Sequence, residues 1–210
     1  QRIDTMPRTA AQNKAIKDRR RSKLLSTALK VFADEGYDEV TIDHITKAAH
    51  CSHGLFYHYF PSKESVFEAI YNEIIVTSKI VPPMEALKTE NTLQGLAVFA
   101  EYVEKISDAS AEEISIVFII GSAWANKNIR RANTDILTRF DYRPLLDKLI
   151  EKGQKEGFVF DGDPVEIRNV LASLILAIAL RRKYYAEATE TIRKDTVLKL
   201  VLKKPLEEIK

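Results

Sequence analysis

Apolar residues recur at helical spacing along most of the chain, and this pattern predicts α-helices rather than strands. A first helix is predicted from Asp18 to a C-terminal glycine, Gly36, and two short helices are predicted after the capping residues Thr41 and Ser52. A fourth helix is predicted to begin after Ser62 and to end before two consecutive prolines. The first third of the chain is therefore predicted to be a cluster of four helices.

Longer and more apolar segments follow these prolines, as expected where a larger core is formed. A capping box at Ser110 predicts a helix, although the residues after it are β-branched enough to resemble a strand. Pro144 must lie in the first turn of its helix or kink that helix. The other predicted helices cover residues 93–106, 131–156, 164–184 and 190–203. We therefore expect an all-α protein.

Composition agrees with a packed helical protein and excludes several other classes. The 210 residues are 45% hydrophobic and 30% charged, with 7 Gly and 7 Pro, which excludes disordered and fibrous chains. A single cysteine, Cys51, and the lack of a recognisable apolar leader lead us to expect a reducing, cytoplasmic setting. The longest apolar run, residues 170–180, is too short to span a membrane. We expect no enzymatic activity and no cofactor, because neither a nucleophile with a matching base nor a glycine-rich phosphate motif is recognisable.

Charge is distributed unevenly along the chain. Residues 1–63 contain 11 Lys and Arg against 7 Asp and Glu, whereas residues 64–210 contain 21 against 23. The basic residues concentrate just before the apolar part of the first helix, at Lys14, Lys17, Arg19, Arg20, Arg21 and Lys23. Such a block is typical of polyanion binding, although a solvated arm that aids solubility would have the same composition.

Residues 41–60 form two short predicted helices joined by a tight turn, which is typical of a helix-turn-helix that inserts its second helix into a major groove. At about 100° per residue, Phe56 and Phe60 face the other helices. A separate, polar arc consists of His53, Gly54, Tyr57 and His58. Glycine costs about 0.5–1 kcal/mol in a helix, so Gly54 indicates close approach of the backbone to DNA, or else only loose capping.

Three segments carry a resemblance to a known family, namely 24–37 (LLSTALKVFADEGY), 41–49 (TIDHITKAA) and 52–67 (SHGLFYHYFPSKESVF). Together they resemble the N-terminal DNA-binding domain of the TetR transcriptional regulators, over about residues 18–75. The resemblance implies a helix-turn-helix DNA-binding domain of three helices at 15–63. It also implies a larger helical domain for ligand binding and dimerisation at 64–210, where the likeness is one of architecture only.

The resemblance further implies which residues contact DNA, expected to be a palindromic double-stranded operator. Thr41 is expected to contact phosphate, and His53 and Gly54 to face the bases. Leu55 stands where a small polar residue is common, so it either touches a thymine methyl group or packs away from DNA. The expected DNA contacts are Arg19, Arg20, Arg21, Thr41, His53, Gly54, Leu55, Tyr57, His58, Tyr59 and Lys63.

In this family the C-terminal domain binds a small molecule that changes the spacing of the two DNA-binding heads. The resemblance therefore implies a repressor that is released from its operator by an unidentified, mainly apolar or amphipathic effector. Aromatic residues on three predicted helices are candidates for lining the effector cavity, namely Phe99, Tyr102, Phe118, Trp124, Phe140 and Tyr142. The alternative for each of them is an ordinary core position.

The helix predicted over residues 164–184 is apolar nearly all round, which indicates burial on both sides. Because a chain of this size offers few elements to cover it, we expect a homodimer in which this helix and the last helix form half of a four-helix bundle. The expected dimer residues are Leu171, Leu174, Ile175, Ile178, Val197, Leu200 and Val201. The alternative is a central core helix of a monomer.

Metal-responsive regulation is an alternative function, based on a cluster of potential ligands formed by His44, His50, Cys51, His53 and His58. Against it, His53 and His58 lie about 140° apart on one helix, and the spacing matches no standard zinc pattern. A helical interaction module without DNA binding is a third hypothesis, but it leaves the basic block and the polar arc unexplained. We therefore expect DNA and a small molecule as partners, with no metal and no membrane.

Overall fold

A computed structural model describes residues 9–125, 127, 137–185 and 190–205 of the chain. These residues form helices joined by turns, with an isolated antiparallel bridge between Val159 and Leu202 and no strand among the described residues. The helices are α1 (Ala10–Glu35), α2 (Ile42–Ala48), α3 (His53–Tyr59), α4 (Lys63–Ala69), a π-helical continuation (Ile70–Ile75), α5 (Met84–Leu87), α6 (Thr92–Ser107), α7 (Ala111–Ala125), α8 (Arg143–Lys155), α9 (Pro164–Tyr184) and α10 (Lys194–Lys199). The prediction of an all-α fold is confirmed.

The chain separates into two compact units, Gln1–Ile74 and Ile75–Lys210. In the first unit, α1 packs against α2 and α4, and α2 packs against α3. Its core consists of large apolar side chains with almost no exposed surface, namely Leu29, Phe32, Ile45, Phe56, Phe67 and Tyr71. Helix α4 therefore folds with the first unit, while the functional division at residues 15–63 and 64–210 stays a prediction.

The first helix is longer than the apolar pattern predicts. It begins at Ala10 rather than Asp18, because the side chains and backbones of Thr9 and Gln12 form a reciprocal capping box. The extra turns are mostly exposed, so they contribute few apolar residues to the pattern. The predicted basic arm is therefore part of a continuous helix.

The turn between α2 and α3 is a Schellman motif. The amide of Cys51 donates to the Thr46 carbonyl at 2.9 Å, and the amide of His50 donates to the Lys47 carbonyl at 3.1 Å. His50 has a φ of 51°, the left-handed conformation that this motif requires and that glycine adopts most easily. Because a histidine and not a glycine occupies this position, the sequence pattern did not indicate the turn type.

In the second unit, α6 and α9 are the central helices. Helix α6 packs against α5, α8, α9 and α10, and α9 also packs against α7 and α8. Gly95 permits the close approach of α6 and α8, because a Cβ atom there would lie 2.6 Å from the Leu149 Cδ2 atom. The capping box predicted at Ser110 is confirmed. The Ser110 amide donates to the Glu113 carboxylate at 2.8 Å, and the Ser110 hydroxyl accepts from the Glu113 amide.

Two predicted helices of the second unit have different bounds in the structure. Helix α8 begins at Arg143, so Pro144 occupies its first turn, and residues 131–136 of the prediction lie outside the described residues. Helix α10 covers only Lys194–Lys199, because the chain after it turns to pair with residues 158–160, where the Phe160 amide donates to the Val201 carbonyl. Within the described part of the chain, no helix is long and apolar enough to cross a bilayer.

Candidate nucleic-acid interface and ligand cavity

Helix α3 has one buried side and one exposed side. Phe56 is 0% exposed and Phe60 is 2% exposed, and both lie in the core of the first unit. The polar arc predicted from the sequence faces outward, with His53, Gly54, Tyr57 and His58 all exposed. Ser52 begins the helix, because its hydroxyl accepts a hydrogen bond from the Leu55 amide at 3.2 Å. The structure thus presents this arc on a rigid element anchored by two phenylalanines.

Gly54 has open space around its Cα atom. The nearest heavy atom to a Cβ built there is the Ser52 Oγ atom, at 3.9 Å. Packing inside the protein therefore does not require a glycine at this position. Because glycine weakens a helix, the open space favours the interpretation in which an external surface approaches the backbone.

Two histidines of the first unit, His53 and His44, are paired with separate carboxylates. The Nε2 atom of His53 lies 3.3 Å from Asp43, which also forms an ion pair with Lys47 at 2.6 Å. Hydrogen bonds from Lys47 and His53 hold the pKa of Asp43 below its usual range. His44 is bonded to Glu35 at 2.8 Å. No group of three or more metal-ligating side chains occurs among the described residues, which include all five potential ligands of the metal hypothesis.

Lys63, which the resemblance predicts to contact DNA, is bonded within its own unit. Its ammonium group donates to the backbone carbonyls of Tyr37 at 2.8 Å, Val40 at 2.9 Å and Asp38 at 3.5 Å. It also lies 4.4 Å from the centroid of the Tyr37 ring. An ammonium has three donors, so these carbonyls use all of them. The Lys63 side chain thus links the loop after α1 to the start of α4 through hydrogen bonds.

The three consecutive arginines of α1 have different surroundings. Arg21 forms a two-pronged ion pair with Glu73, in which Nη2 lies 2.6 Å from Oε1, and its guanidinium stacks on the Phe60 ring at 5.0 Å. This pairing raises the pKa of Arg21. Arg19 and Arg20 are exposed and form no ion pair within the described residues. Of the three arginines predicted to contact DNA, two therefore have guanidinium groups that no ion pair within the described residues occupies.

Two further residues that are predicted to contact DNA, Leu55 and Tyr59, lie beside α1. Leu55 and Tyr59 line a surface crevice of about 350 Å³ together with Arg20 and His50. Leu55 is half-buried there, which corresponds to the predicted option of packing rather than full exposure. Thr41 is exposed and begins α2, where its hydroxyl accepts a hydrogen bond from the His44 amide at 3.3 Å.

The second unit contains a cavity of about 410 Å³. Five of the six predicted ligand residues line it, whereas Phe99 is 1% exposed and lies behind the wall, with its ring centroid 5.5 Å from that of Tyr142. The lining residues are Pro82, Tyr102, Val117, Phe118, Ile120, Gly121, Trp124, Phe140, Asp141, Tyr142, Arg143, Ala172, Ile175 and Leu176. Its mainly apolar and aromatic wall is typical of small-molecule sites.

Sequence reasoning missed the charged pair in this wall. Arg143 donates from Nε and Nη2 to the two carboxylate oxygens of Asp141, at 2.6 and 2.9 Å. The guanidinium lies 3.9 Å from the Trp124 ring centroid, and the bond to Asp141 raises the pKa of Arg143. The spacing of an acid and a base two residues apart before a proline was the available signal, but such pairs are common on protein surfaces.

The residues predicted for dimerisation mostly contact their own unit. Leu171, Ile175 and Ile178 of α9 are 1–8% exposed, and Leu174 is half-buried. Val197 and Val201 are buried as well, because α10 packs on α6, whereas Leu200 is 49% exposed. The apolar side chains that α9 leaves exposed are Val165, Val170, Leu176, Leu180 and Tyr184. The predicted residues of α9 therefore lie on its inner side, and the apolar side chains that remain exposed lie elsewhere on the helix.

Comparisons with known proteins find matches among bacterial regulatory proteins. Residues 24–70 match the family described as bacterial regulatory proteins, tetR family. The chain is 24% identical over 169 residues to the transposon Tn10 TetC protein of Escherichia coli, covering 80% of this chain and 82% of that protein. It is 26% identical over 146 residues to the HTH-type transcriptional repressor NicS of Pseudomonas putida, covering 69% and 68%.

Solved structures share the fold. The crystal structure of AibR in complex with isovaleryl coenzyme A and operator DNA has a TM-score of 0.60 with 16% sequence identity. The match covers 86% of this chain and 94% of that chain. At this level of identity the likeness concerns the arrangement of helices, and it extends well beyond the first unit.

Proposed function

This chain belongs to the TetR family of DNA-binding transcriptional regulators, and from that premise we propose that it is a homodimeric repressor released from a palindromic operator by a small molecule. The family is not enzymatic. The observation that carries the proposal is the exposed polar arc of α3, with Gly54 in open space, on a helix anchored by Phe56 and Phe60.

We assign the proposed DNA contacts according to how exposed each side chain is and how it is bonded within the unit. His53, Tyr57 and His58 present donors and acceptors on the outer arc of α3, where base edges and phosphates are within reach in a helix-turn-helix. Additional contacts come from Arg19, Arg20, Thr41 and Tyr59, while Leu55 packs at the edge of α1. Arg21 and Lys63 are assigned to holding the unit together, because Glu73 and three backbone carbonyls occupy their donors.

The proposed dimer surface is the outer side of α9. Residues separated alternately by three and four positions form a stripe there, as in a packed helix pair. We define the α9 stripe as Val170, Ser173, Ala177, Leu180 and Tyr184, all of which are exposed. Exposed apolar residues that form a continuous stripe indicate a protein interface more than scattered ones do. A twofold axis through this stripe would give two α3 helices for two operator half-sites.

The proposed effector site is the cavity lined by Trp124 and Arg143. AibR, which shares the fold, has been crystallised in complex with isovaleryl coenzyme A and operator DNA. A molecule that binds one conformation of the dimer better than the other shifts the population toward it. Release follows if the favoured conformation no longer matches half-sites about 34–36 Å apart.

Selection of random duplex DNA by the purified protein at about 0.15 M salt tests the DNA-binding part. We expect enrichment of an inverted repeat by the unchanged protein and by Tyr185→Phe, a control at an exposed position far along the sequence from α3. The double variant His53→Ala with Tyr57→Ala should enrich no repeat while remaining folded by circular dichroism. Enrichment of the same repeat by this variant would contradict the assignment of α3 as the recognition helix.

A further inference from the structure

Two tyrosines, Tyr102 and Tyr142, line the Trp124 cavity. Tyr102 is 4% exposed. The two ring centroids are 6.4 Å apart. Burial raises the pKa of Tyr142 to about 12 and that of Tyr102 as well, so both hydroxyls remain protonated at neutral pH. The wall thus includes two tyrosines whose protonated hydroxyl groups are able to donate a hydrogen bond to a ligand oxygen.

Arg143 adds further donors to the same wall. Its guanidinium has five N–H groups, of which Nε–H and one N–H of Nη2 are used by Asp141. The remaining N–H groups have no partner among the described residues. The Trp124 ring beneath the guanidinium holds its plane in place, at 3.9 Å from the ring centroid. A ligand oxygen can therefore meet a fixed guanidinium edge rather than a mobile one.

The carboxylate in the wall, that of Asp141, already accepts hydrogen bonds from Arg143. The Oδ1 atom of Asp141 accepts from the Nε and the backbone amide of Arg143, and Oδ2 accepts from Nη2. A cationic ligand would have to compete with Arg143 for this carboxylate while lying close to the positive charge of the guanidinium. The wall accordingly disfavours a cation and favours an oxygen-rich group.

We infer that the effector is an amphipathic carboxylate, and this inference rests on the proposed function of the cavity as the effector site. Its oxygens accept hydrogen bonds from Tyr102, Tyr142 and the free edge of Arg143. Its apolar body lies against the rest of the wall, where Phe118, Phe140 and other apolar side chains dominate. Hydrogen bonds to a charged oxygen are stronger than those to a neutral one, so the head group determines much of the affinity.

Three probes with the same apolar chain separate the possible head groups: octanoate, octanol and octyltrimethylammonium. Trp124 is the single tryptophan of the chain and lies in the wall, so its fluorescence reports occupancy directly. We expect octanoate to bind at least about tenfold more tightly than octanol. Octyltrimethylammonium should bind more weakly than either. Equal or tighter binding of the ammonium probe, or no binding of any probe, overturns the inference.

Removal of single hydroxyl groups tests the proposed contacts. Tyr102→Phe and Tyr142→Phe keep both rings, and each should weaken octanoate binding about tenfold while changing octanol binding less. Tyr185→Phe is the matched control, because Tyr185 is 67% exposed and does not line the cavity. Equal decreases in affinity for octanoate and octanol in the two cavity variants would indicate a packing effect and contradict the proposed contacts.

A separate measurement distinguishes this inference from the proposed function. Fluorescence anisotropy of a labelled duplex selected by the protein follows DNA binding, while Trp124 emission follows the probe. Octanoate binding without any effect on DNA would overturn ligand-controlled release and leave the carboxylate site intact. DNA binding that persists while octanoate fails to bind overturns the carboxylate inference alone.

Discussion

Individual residues in the first unit divide into those that face outward and those that hold the unit together. Gly54 and Lys63 show this difference most clearly, although the family resemblance predicts DNA contact for both. A Cβ atom at Gly54 would meet nothing closer than 3.9 Å, whereas the Lys63 ammonium is surrounded by three carbonyl oxygens. The two residues therefore have opposite expected effects on stability and on DNA binding.

Substitution of Gly54 by alanine should separate folding from DNA binding. We expect the free energy of unfolding to rise by about 0.5–1 kcal/mol, because alanine favours the helix and has space. DNA affinity should fall, because the added methyl group projects into the surface proposed to approach the duplex. Urea unfolding and anisotropy with the selected duplex measure the two quantities. A Gly54→Ala protein that binds DNA as before would show that the backbone does not approach DNA closely here.

Substitution of Lys63 by methionine should have the reverse effect. The carbonyls of Tyr37 and Val40 lose their partner, so we expect the free energy of unfolding to fall by about 1–3 kcal/mol. The salt dependence of DNA binding should stay unchanged, because the Lys63 ammonium is not assigned to a phosphate. Lys30→Met, at an exposed position of α1, is the control and should leave stability nearly unchanged. A reduced salt dependence in Lys63→Met would restore Lys63 to the DNA surface.

Among the elements, helix α9 is packed against its own unit on one side and exposed on the other. Its inner side packs against α6, α7 and α8, and its outer side carries the α9 stripe. The sequence correctly predicted both the start of this helix at the Asp163 cap and its apolar character. It did not tell which side would be covered by the chain itself, because apolar residues occur all round the helix.

Charges introduced into the α9 stripe should convert a dimer to a monomer. We expect the double variant Val170→Glu with Leu180→Glu to sediment as a monomer and to lose binding to the full inverted repeat. The residues are 61% and 40% exposed within one chain, so the substitutions should leave the fold of the unit intact. Phe160→Glu, at a residue that is 46% exposed outside α9, is the control and should remain dimeric. A double variant that sediments as a dimer would place the interface elsewhere.

At the scale of the whole molecule, DNA binding depends on how many phosphates the two protomers neutralise. Log affinity falls with log salt concentration by about 0.9 for each neutralised phosphate. Arg19 and Arg20 are exposed and free of ion pairs within the described residues, so they are the proposed phosphate contacts of α1.

The double variant Arg19→Gln with Arg20→Gln should lower this salt dependence. We expect the slope to decrease by about 0.9 for each phosphate that the variant no longer neutralises, and affinity to fall for specific and random duplexes alike. Titrations of labelled duplex at several salt concentrations give the slope. Arg139→Gln, an exposed arginine of the second unit, should leave it unchanged. An unchanged slope in the α1 variant would remove these arginines from the phosphate-binding surface.

The ligand cavity shows which of its features could be predicted from the sequence and which could not. Aromatic residues at helical spacing identified five of the lining residues, because apolar side chains on facing helices converge on a common interior. Phe99 satisfies the same pattern but is packed behind the wall, with its ring against Tyr142. The pattern indicates that a side chain points inward, but it contains no information about whether the space beyond that side chain is filled.

The sequence by itself determined the helical class, the helix-turn-helix and the polar arc of α3, because caps, breakers and apolar spacing act over a few neighbouring residues. Only the tertiary structure decided the partners of individual charges and the covered side of α9. Arg21 meets Glu73 across 52 positions, and Lys63 meets the Val40 carbonyl across 23. Such contacts depend on where packed helices bring distant segments together, and local spacing does not encode that distance.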